Sequence, residues 1–466
     1  MAQSANRRPT VAIITMFFLF AMISFVTNLA APIGTIWGNT FEGNSVLGMM
    51  GNMMNFLAYL FMGIPAGKLL ERIGYKKTAL WAMAVGVVGL VFQYLSSIVG
   101  TDTEVLSMTA HIKENGVEVA KQLPVCLNFF IYLLGAFICG FCVCMLNTVV
   151  NPMLNLLGGG DNKGNQLIQT GGALNSLAGT LTPFFVGALI GQLSKDTAMN
   201  NVTPLLFIAM GVFVVAFLVI SMVSIPEPNL SKDGKARPKY THSAWNFRHT
   251  VLGVVGIFFY VGIEVGIPGT LNFYLSDQTA NGAGVLGNAS VIAGSVVALY
   301  WLLMLCGRML SSAISGAISA RQQLVAVAGT AIALVVVAMI LPKSVEIAIP
   351  DFIYSSANGG VATIPVSAVL LVLCGLCTAS MWGAIFNLAV EGLGKYTAQA
   401  SGIFMMMVVG GGVMPLIQQA IAQSVGYMAS YWLVVAMLAY LLFYALVGSK
   451  NVNTDIPVDD DVENAL

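Results

Sequence analysis

Charge is what this chain has least of. Asp, Glu, Lys and Arg make up 9% of its 466 residues, hydrophobic residues make up 57%, and the mean hydropathy is +0.84. Soluble domains carry roughly a quarter of their residues as charges, so an ordinary soluble domain is excluded and an integral membrane protein is implied. The charges that are present cancel, 20 basic against 20 acidic. With no basic stripe to neutralise phosphates, a nucleic-acid partner is excluded too. Histidine is nearly missing: His111, His242 and His249 all fall in or beside loops. The seven cysteines (Cys126, Cys139, Cys142, Cys144, Cys306, Cys374, Cys377) therefore have no His or acidic neighbours to complete a metal site, and they read as small packing residues inside apolar runs. A cleavable leader is not expected either. Arg7 and Arg8 precede an apolar run, but it continues to about Trp37 without an A-x-A-like site and is followed by further runs, so it reads as a first helix.

Long apolar runs are abundant. They lie near 11–37, 46–70, 79–100, 126–157, 166–193, 203–225, 247–275, 286–314, 322–342, 365–390, 397–424 and 429–448, which predicts twelve membrane spans. Arg7, Arg8, Arg72, Lys76, Lys77, Lys163, Lys232, Lys235, Arg237, Lys239, Arg248, Arg321, Lys395 and Lys450 share one side, against Lys113, Lys121, Lys195 and Lys343 on the other. The positive-inside rule then predicts both termini in the cytoplasm. Pro226–Arg248 is rich in Pro, Lys and Gly and reads as a cytoplasmic linker. It divides the chain into an N-terminal bundle over 1–225, a linker over 226–246, a C-terminal bundle over 247–448 and a tail over 449–466. Thr101–Val125 and Lys343–Thr363 read as external caps, and the acidic stretch Asp455–Glu463 as a solvated end.

Val251–Leu275 carries the one deep carboxylate, Glu264. An ionised carboxylate at membrane depth costs at least a few kcal/mol, so it normally faces a bundle interior or a watery path, handling a proton, a cation or a polar substrate. A protonated Glu hydrogen-bonded for packing alone is the competing reading. The other polar residues in spans are neutral: Asn28, Asn52, Asn55, Asn147, Asn151, Gln169, Asn175, Asn272, Trp382 and Asn387. Amides offer donors and acceptors together, as sugar hydroxyls require, and Trp stacks on a pyranose face. Asn147, Asn151 and Asn155 recur every four residues along one side of span four. Any one amide can instead be an interhelical hydrogen bond of about 0.6 kcal/mol, and roughly half of this set is expected to be only that.

The halves echo each other. Asn151–Gly158 in span four matches Asn387–Gly394 in span ten, Gly179 and Pro183 match Gly411 and Pro415, and Gly67-Lys68 after span two is matched by Gly307-Arg308, read as following span eight. Two parallel six-helix repeats follow, an arrangement that rocks about a midplane site. The Gly-rich spans, including Gly171-Gly172 and Gly410–Gly412, let helices approach, and Pro152, Pro183, Pro268 and Pro415 supply bends.

The loop after span two reads Gly67-Lys68-Leu69-Leu70-Glu71-Arg72-Ile73-Gly74-Tyr75-Lys76-Lys77. It resembles the signature of the major facilitator superfamily, Gly-x-Leu-x-Asp-Arg-x-Gly-x-Lys/Arg-Lys/Arg, with Glu71 in the Asp place. The resemblance implies that Gly67, Glu71, Arg72, Gly74 and Lys76 form a cytoplasmic gate, the acid accepting hydrogen bonds from a helix end and from the Arg. Within that superfamily most of the chain is similar to the fucose permease group of sugar symporters. Asn147-Thr148-Val149-Val150-Asn151-Pro152 and Asn175-Ser176 look like its Glu-Thr-Ala-Ala-Asn-Pro and Asn-Ser elements, and Tyr260-Val261-Gly262, Gly307-Arg308 and Gly410–Gly412 with Pro415 follow in order. By this resemblance Asn175 is a binding Asn and Trp382 a sugar-facing aromatic. Two acids of the group are replaced: its span-one Asp falls in Asn28-Leu29-Ala30-Ala31, and its span-four Glu is Asn147. Proton symport is therefore not implied by resemblance, and Glu264 is left as the coupling candidate.

The expectation is an all-α membrane protein with twelve helices in two six-helix repeats, moving a monosaccharide or similar small neutral solute across a bacterial inner membrane. Its partners are the sugar, a proton or sodium ion at Glu264, and membrane lipid; it needs no cofactor and works as a monomer. An uncoupled facilitator is the second reading and a transporter-like sensor the third. An enzyme is not expected, since no nucleophile–base pair sits at membrane depth.

Overall fold

The computed structural model describes residues 7–41, 45–114, 117–159, 162–190, 198–227, 242–277, 281–286, 289–350 and 361–458. The spans are helical, as backbone groups without water to bond require. Span one is a pair of helices, α1 (Arg7–Asn28) and α2 (Ala30–Thr40), rather than one helix. Pro32 has no N–H to donate to the Asn28 carbonyl, so that rung is missing; the Leu29 amide turns to Val26 O at 3.2 Å, and the ordinary ladder resumes with the Ile33 amide on Leu29 O at 3.3 Å. Spans two and three run on as α3 (Ser45–Leu95), broken at Gly74, whose φ of +83° suits glycine.

The remaining crossing helices are α4 (Leu127–Leu157), α5 (Asn162–Ile190), α6 (Thr203–Met222), α7 (Arg248–Ser276), α8 (Ala289–Ile314), α9 (Ala320–Ile340), α10 (Val366–Val390), the pair α11 (Thr397–Met406) and α12 (Gly410–Val425), and α13 (Tyr427–Phe443). Ten helical stretches among the described residues are long and apolar enough to cross a membrane. Counting α3 as two spans and adding α5 gives the expected twelve. The two long loops hold more than loop structure. Each contains an antiparallel hairpin, β1 (Glu104–Glu114) with β2 (Val117–Cys126), and β3 (Glu346–Pro350) with β4 (Val361–Pro365).

Contacts group the chain into two compact units that do not follow chain order. The first is Met1–Val150 with Leu177–Arg237; the second is Asn151–Ser176 with Pro238–Leu466. The ends of α4 and α5 nearest their connecting loop thus belong with the C-terminal helices. In the first unit Trp37, Phe41, Phe129 and Tyr132 form a buried aromatic cluster, with Trp37–Phe129, Trp37–Tyr132 and Phe41–Phe129 centroids 4.9, 5.4 and 5.0 Å apart. In the second, Gly410 lies so close to the Phe258 carbonyl that a Cβ there would clash. This fits the expectation that small residues set helix approach. Cys139, Cys142, Cys144, Cys374 and Cys377 are buried free thiols.

The described part of the tail is bonded to the C-terminal helices at two points. Asn453 Oδ1 accepts the Arg248 N–H at 3.0 Å, satisfying one orphan donor at the start of α7. Val458 O accepts the Lys395 N–H at 3.2 Å, and Gly394 (φ +47°) leaves the room that a side chain would take from Val458. Residues 459–463 of the acidic stretch lie outside the described residues, as do 228–241 of the linker.

Candidate functional site

Glu264 sits on α7, and the group facing it is Arg308 of α8. The repeat comparison put Gly307-Arg308 after span eight; α8 runs to Ile314, so Arg308 is inside the span and only 9% exposed. Its Nη2 donates to Glu264 Oε1 at 3.1 Å, and the two form an ion pair. Its Nη1 donates to Gly172 O and to Ser176 Oγ, each at 2.9 Å. One guanidinium therefore joins α7, α8 and α5. Removing one partner of a buried pair is costly because the other charge is left bare. Tyr260, one turn before Glu264, is fully buried, and its ring lies 6.1 Å from that of Trp382.

From this pair a row of neutral hydrogen bonds ties Asn151–Ser176 to α8 and α10. Trp382 Nε1 donates to Asn151 Oδ1 at 3.0 Å, Gln169 Nε2 donates to Ser380 O at 2.8 Å, and Asn155 Nδ2 donates to Asn387 Oδ1 at 2.6 Å. Asn165 Nδ2 donates to Ser315 Oγ at 3.0 Å, and the hydroxyls of Thr170 and Ser312 are 2.6 Å apart. The structure thus gathers Asn151, Gln169, Trp382, Asn387 and Glu264 in the second unit. Asn175 is half-buried on α5 beside Ser176, and Asn272 is half-buried on α7, about two turns beyond Glu264.

In the first unit Asn28 and Asn147 each donate to residues of the same unit. Asn28 Nδ2 donates to Ser24 O at 2.8 Å and to Ser24 Oγ at 3.1 Å, within its own helix. Asn147 Nδ2 donates to Tyr59 Oη at 3.0 Å and to Val143 O at 3.1 Å. Asn52 is half-buried. Asn55 Oδ1 is buried without a hydrogen bond and borders a cavity of about 10 Å³ with Gln93, Tyr132 and Cys139, room for about one water. Sequence reasoning missed Arg308 as the partner of Glu264. The signal was there, since an ionisable residue within an apolar run is the same sign that marked Glu264.

Residues 13–408 match the family model described as Major Facilitator Superfamily. The chain belongs to the major facilitator superfamily. The glucose/galactose transporter of Brucella abortus biovar 1 (strain 9-941) is 29% identical over 451 residues, which cover 96% of each protein. The L-fucose-proton symporter of Escherichia coli (strain K12) is 21% identical over 460 residues, covering 93% of this chain and 91% of that one. The crystal structure of the superfamily transporter FucP in the outward conformation shares the fold, with a TM-score of 0.70 at 16% identity over 94% of this chain and 97% of that one. The chain is accordingly a multi-pass membrane transporter and not an enzyme.

The superfamily's loop between spans two and three is anchored here by a residue outside the signature. Beyond Gly74 the helix restarts, and Glu227 caps it: its Oε2 accepts the Tyr75 N–H at 2.6 Å and its Oε1 accepts the Lys76 N–H at 2.8 Å. Lys76 Nζ donates to Ser221 O at 2.7 Å and Val223 O at 2.8 Å, satisfying carbonyls at the end of α6. Burial raises the Glu227 carboxyl above its ordinary range, and the two amides with Lys76 and Lys77 only partly offset this. Among the described residues Glu71 and Arg72 make no ion pair; Glu71 is half-buried and Arg72 exposed. Gly67 lies on the stretch of α3 leading into this turn.

Proposed function

We propose that this transporter carries a monosaccharide, or a similar small neutral solute, across a bacterial inner membrane by alternating access, in symport with a proton or sodium ion. The observation that carries this reading is the buried Glu264–Arg308 pair on the same unit as Trp382, Asn151 and Gln169. The names of the relatives, glucose/galactose transporter and L-fucose-proton symporter, support the substrate class and the coupling. With Asn147 and Ala30-Ala31 where the fucose permease group has acids, the titratable role falls to Glu264.

A proton on Glu264 removes the charge that holds Arg308 Nη2, while Nη1 keeps Gly172 O and Ser176 Oγ. Protonation therefore reweights the α7–α8 contact against the α5–α8 contact, a differential interaction of the kind that shifts a conformational equilibrium. A sodium ion instead requires further oxygens, from Asn272 or from carbonyls near Pro268. The candidate sugar contacts are Asn28, Asn52, Asn147, Asn151, Gln169, Asn175, Asn272 and Trp382. Gly67, Glu71, Arg72, Gly74 and Lys76 form the cytoplasmic gate, both termini are cytoplasmic, and the protein acts as a monomer in lipid.

Uptake into proteoliposomes of labelled glucose and galactose, with and without a pH or sodium gradient, tests the reading. Glu264→Gln keeps shape without charge, so it should lose gradient-driven accumulation and keep exchange of labelled for unlabelled sugar. Accumulation by Glu264→Gln places coupling elsewhere. A parent that never accumulates sugar is a facilitator, the reading favoured by the two replaced acids.

A further inference from the structure

A second polar cavity lies at the end of the second unit that bears Lys163, Arg321 and Lys395, the side that the positive-inside rule assigns to the cytoplasm. It has a volume of about 490 Å³, within the ordinary range of small-molecule sites. Asn162 at the start of α5, Ser319 and Arg321 at the start of α9, and Asn387 and Glu391 at the end of α10 supply its polar lining. Two opposite charges border this one space, yet among the described residues the side chains of Arg321 and Glu391 make no ion pair with each other and no hydrogen bond. Asn387 is 7% exposed; its Oδ1 accepts from Asn155, and its Nδ2 donates to no described residue. Ser319 is fixed as the cap of α9, its Oγ accepting the Gln322 N–H at 3.3 Å.

The chemistry selects a ligand class. Arg321 and Asn387 donate, Glu391 accepts, the amide of Asn162 does both, and the Ser319 hydroxyl, which gives its proton to Gln322 Oε1 at 3.1 Å, keeps a lone pair to accept. A hydroxyl group needs both partners, so a polyol satisfies such a lining, whereas a phosphate meets the Glu391 carboxylate and is repelled. Asn387 belongs both to this cavity and to the Asn155 bond, so a ligand that engages it competes for the last rung of the polar row.

We propose that this cavity is a second, weaker site for a neutral monosaccharide on the cytoplasmic side, and that sugar bound there loosens the Asn155–Asn387 clasp. The proposal rests on the sugar-transport reading above. Equilibrium binding of labelled D-glucose and D-galactose to the full chain in lipid nanodiscs should show a tight and a weak phase. Arg321→Ala with Glu391→Gln should weaken the weak phase at least about ten-fold and leave the tight one unchanged, and Trp382→Ala should do the reverse. A single phase in the parent, or two phases indifferent to the Arg321 and Glu391 changes, overturns the second site while the sugar-transport reading stands. No binding of any sugar overturns both. Displacement of the weak phase by glucose 6-phosphate at lower concentration than by glucose makes it an anion site and overturns the proposal.

Discussion

In the first unit, Asn28 Nδ2 bonds back one turn to Ser24 and Asn147 Nδ2 donates to Tyr59, both residues of the N-terminal half. In the second unit, Asn155, Gln169 and Asn151 bond residues more than 200 positions away, Asn387, Ser380 and Trp382. An amide that completes its bonds within one bundle can move with that bundle at no cost. An amide that bonds a helix of the other repeat has to exchange that partner when the repeats move. The contrast separates bonds made inside one repeat from bonds made across the two: the Arg308 Nη1 bonds to Gly172 O and Ser176 Oγ are of the second kind, while the Glu264–Arg308 pair itself lies within the C-terminal repeat.

Removing Arg308 should break this contrast most. Arg308→Ala leaves Glu264 buried without its counter-charge, and a loss of about 3–5 kcal/mol is expected. Thermal unfolding in detergent should show a large fall for Arg308→Ala and partial recovery for Arg308→Ala with Glu264→Gln; equal falls would mean that the pair is not coupled. Trp382→Ala and Asn175→Ala should each weaken apparent sugar affinity about ten- to a hundred-fold. Unchanged affinity in both, at normal expression, rules out their place in the site.

A smaller effect should come from one rung. Asn155→Leu removes a bond worth about 0.6 kcal/mol in a membrane, enough to change a conformer ratio about three-fold. Cysteine accessibility from the two sides should register that shift, and an unchanged ratio would mean that the Asn155–Asn387 bond does not hold one conformation. The smallest effect concerns Glu227, because the carboxylate is partly solvated. Burial raises its pKa in the folded protein, so folding takes up a proton. The stability advantage of the parent over Glu227→Gln should be greatest below about pH 4, near the unfolded value, and should shrink as pH rises through the folded value. Unfolding midpoints across pH check this, and an advantage that grows with pH reverses the sign.

The twelve spans were legible because lipid leaves hydropathy as the main constraint, and Glu264 stood out for the same reason. Arg308 carried the same signal but was assigned to a loop through a repeat match. The first hairpin was also legible: Glu114 pairs with Val117, which leaves Asn115-Gly116 between two alternating runs, a strong hairpin pattern that a hydropathy scan passes over as loop. The polar row was not legible, since nothing local to Asn155 points to a partner 232 residues on. Glu227 was hidden in the same way, reading as linker until the turn at Gly74 exposed two amides for it to cap.

The hold of the tail on α7 and the Lys395 turn matters for anyone placing a reporter there. Because Asn453 and Val458 are bonded to two different parts of the C-terminal bundle, a fluorophore attached a few residues beyond Val458 is leashed to that bundle, each residue adding at most about 3.5 Å of reach. Its signal should follow the rigid-body motion of those helices during a transport cycle, and Asn453→Ala should blur it by freeing the leash.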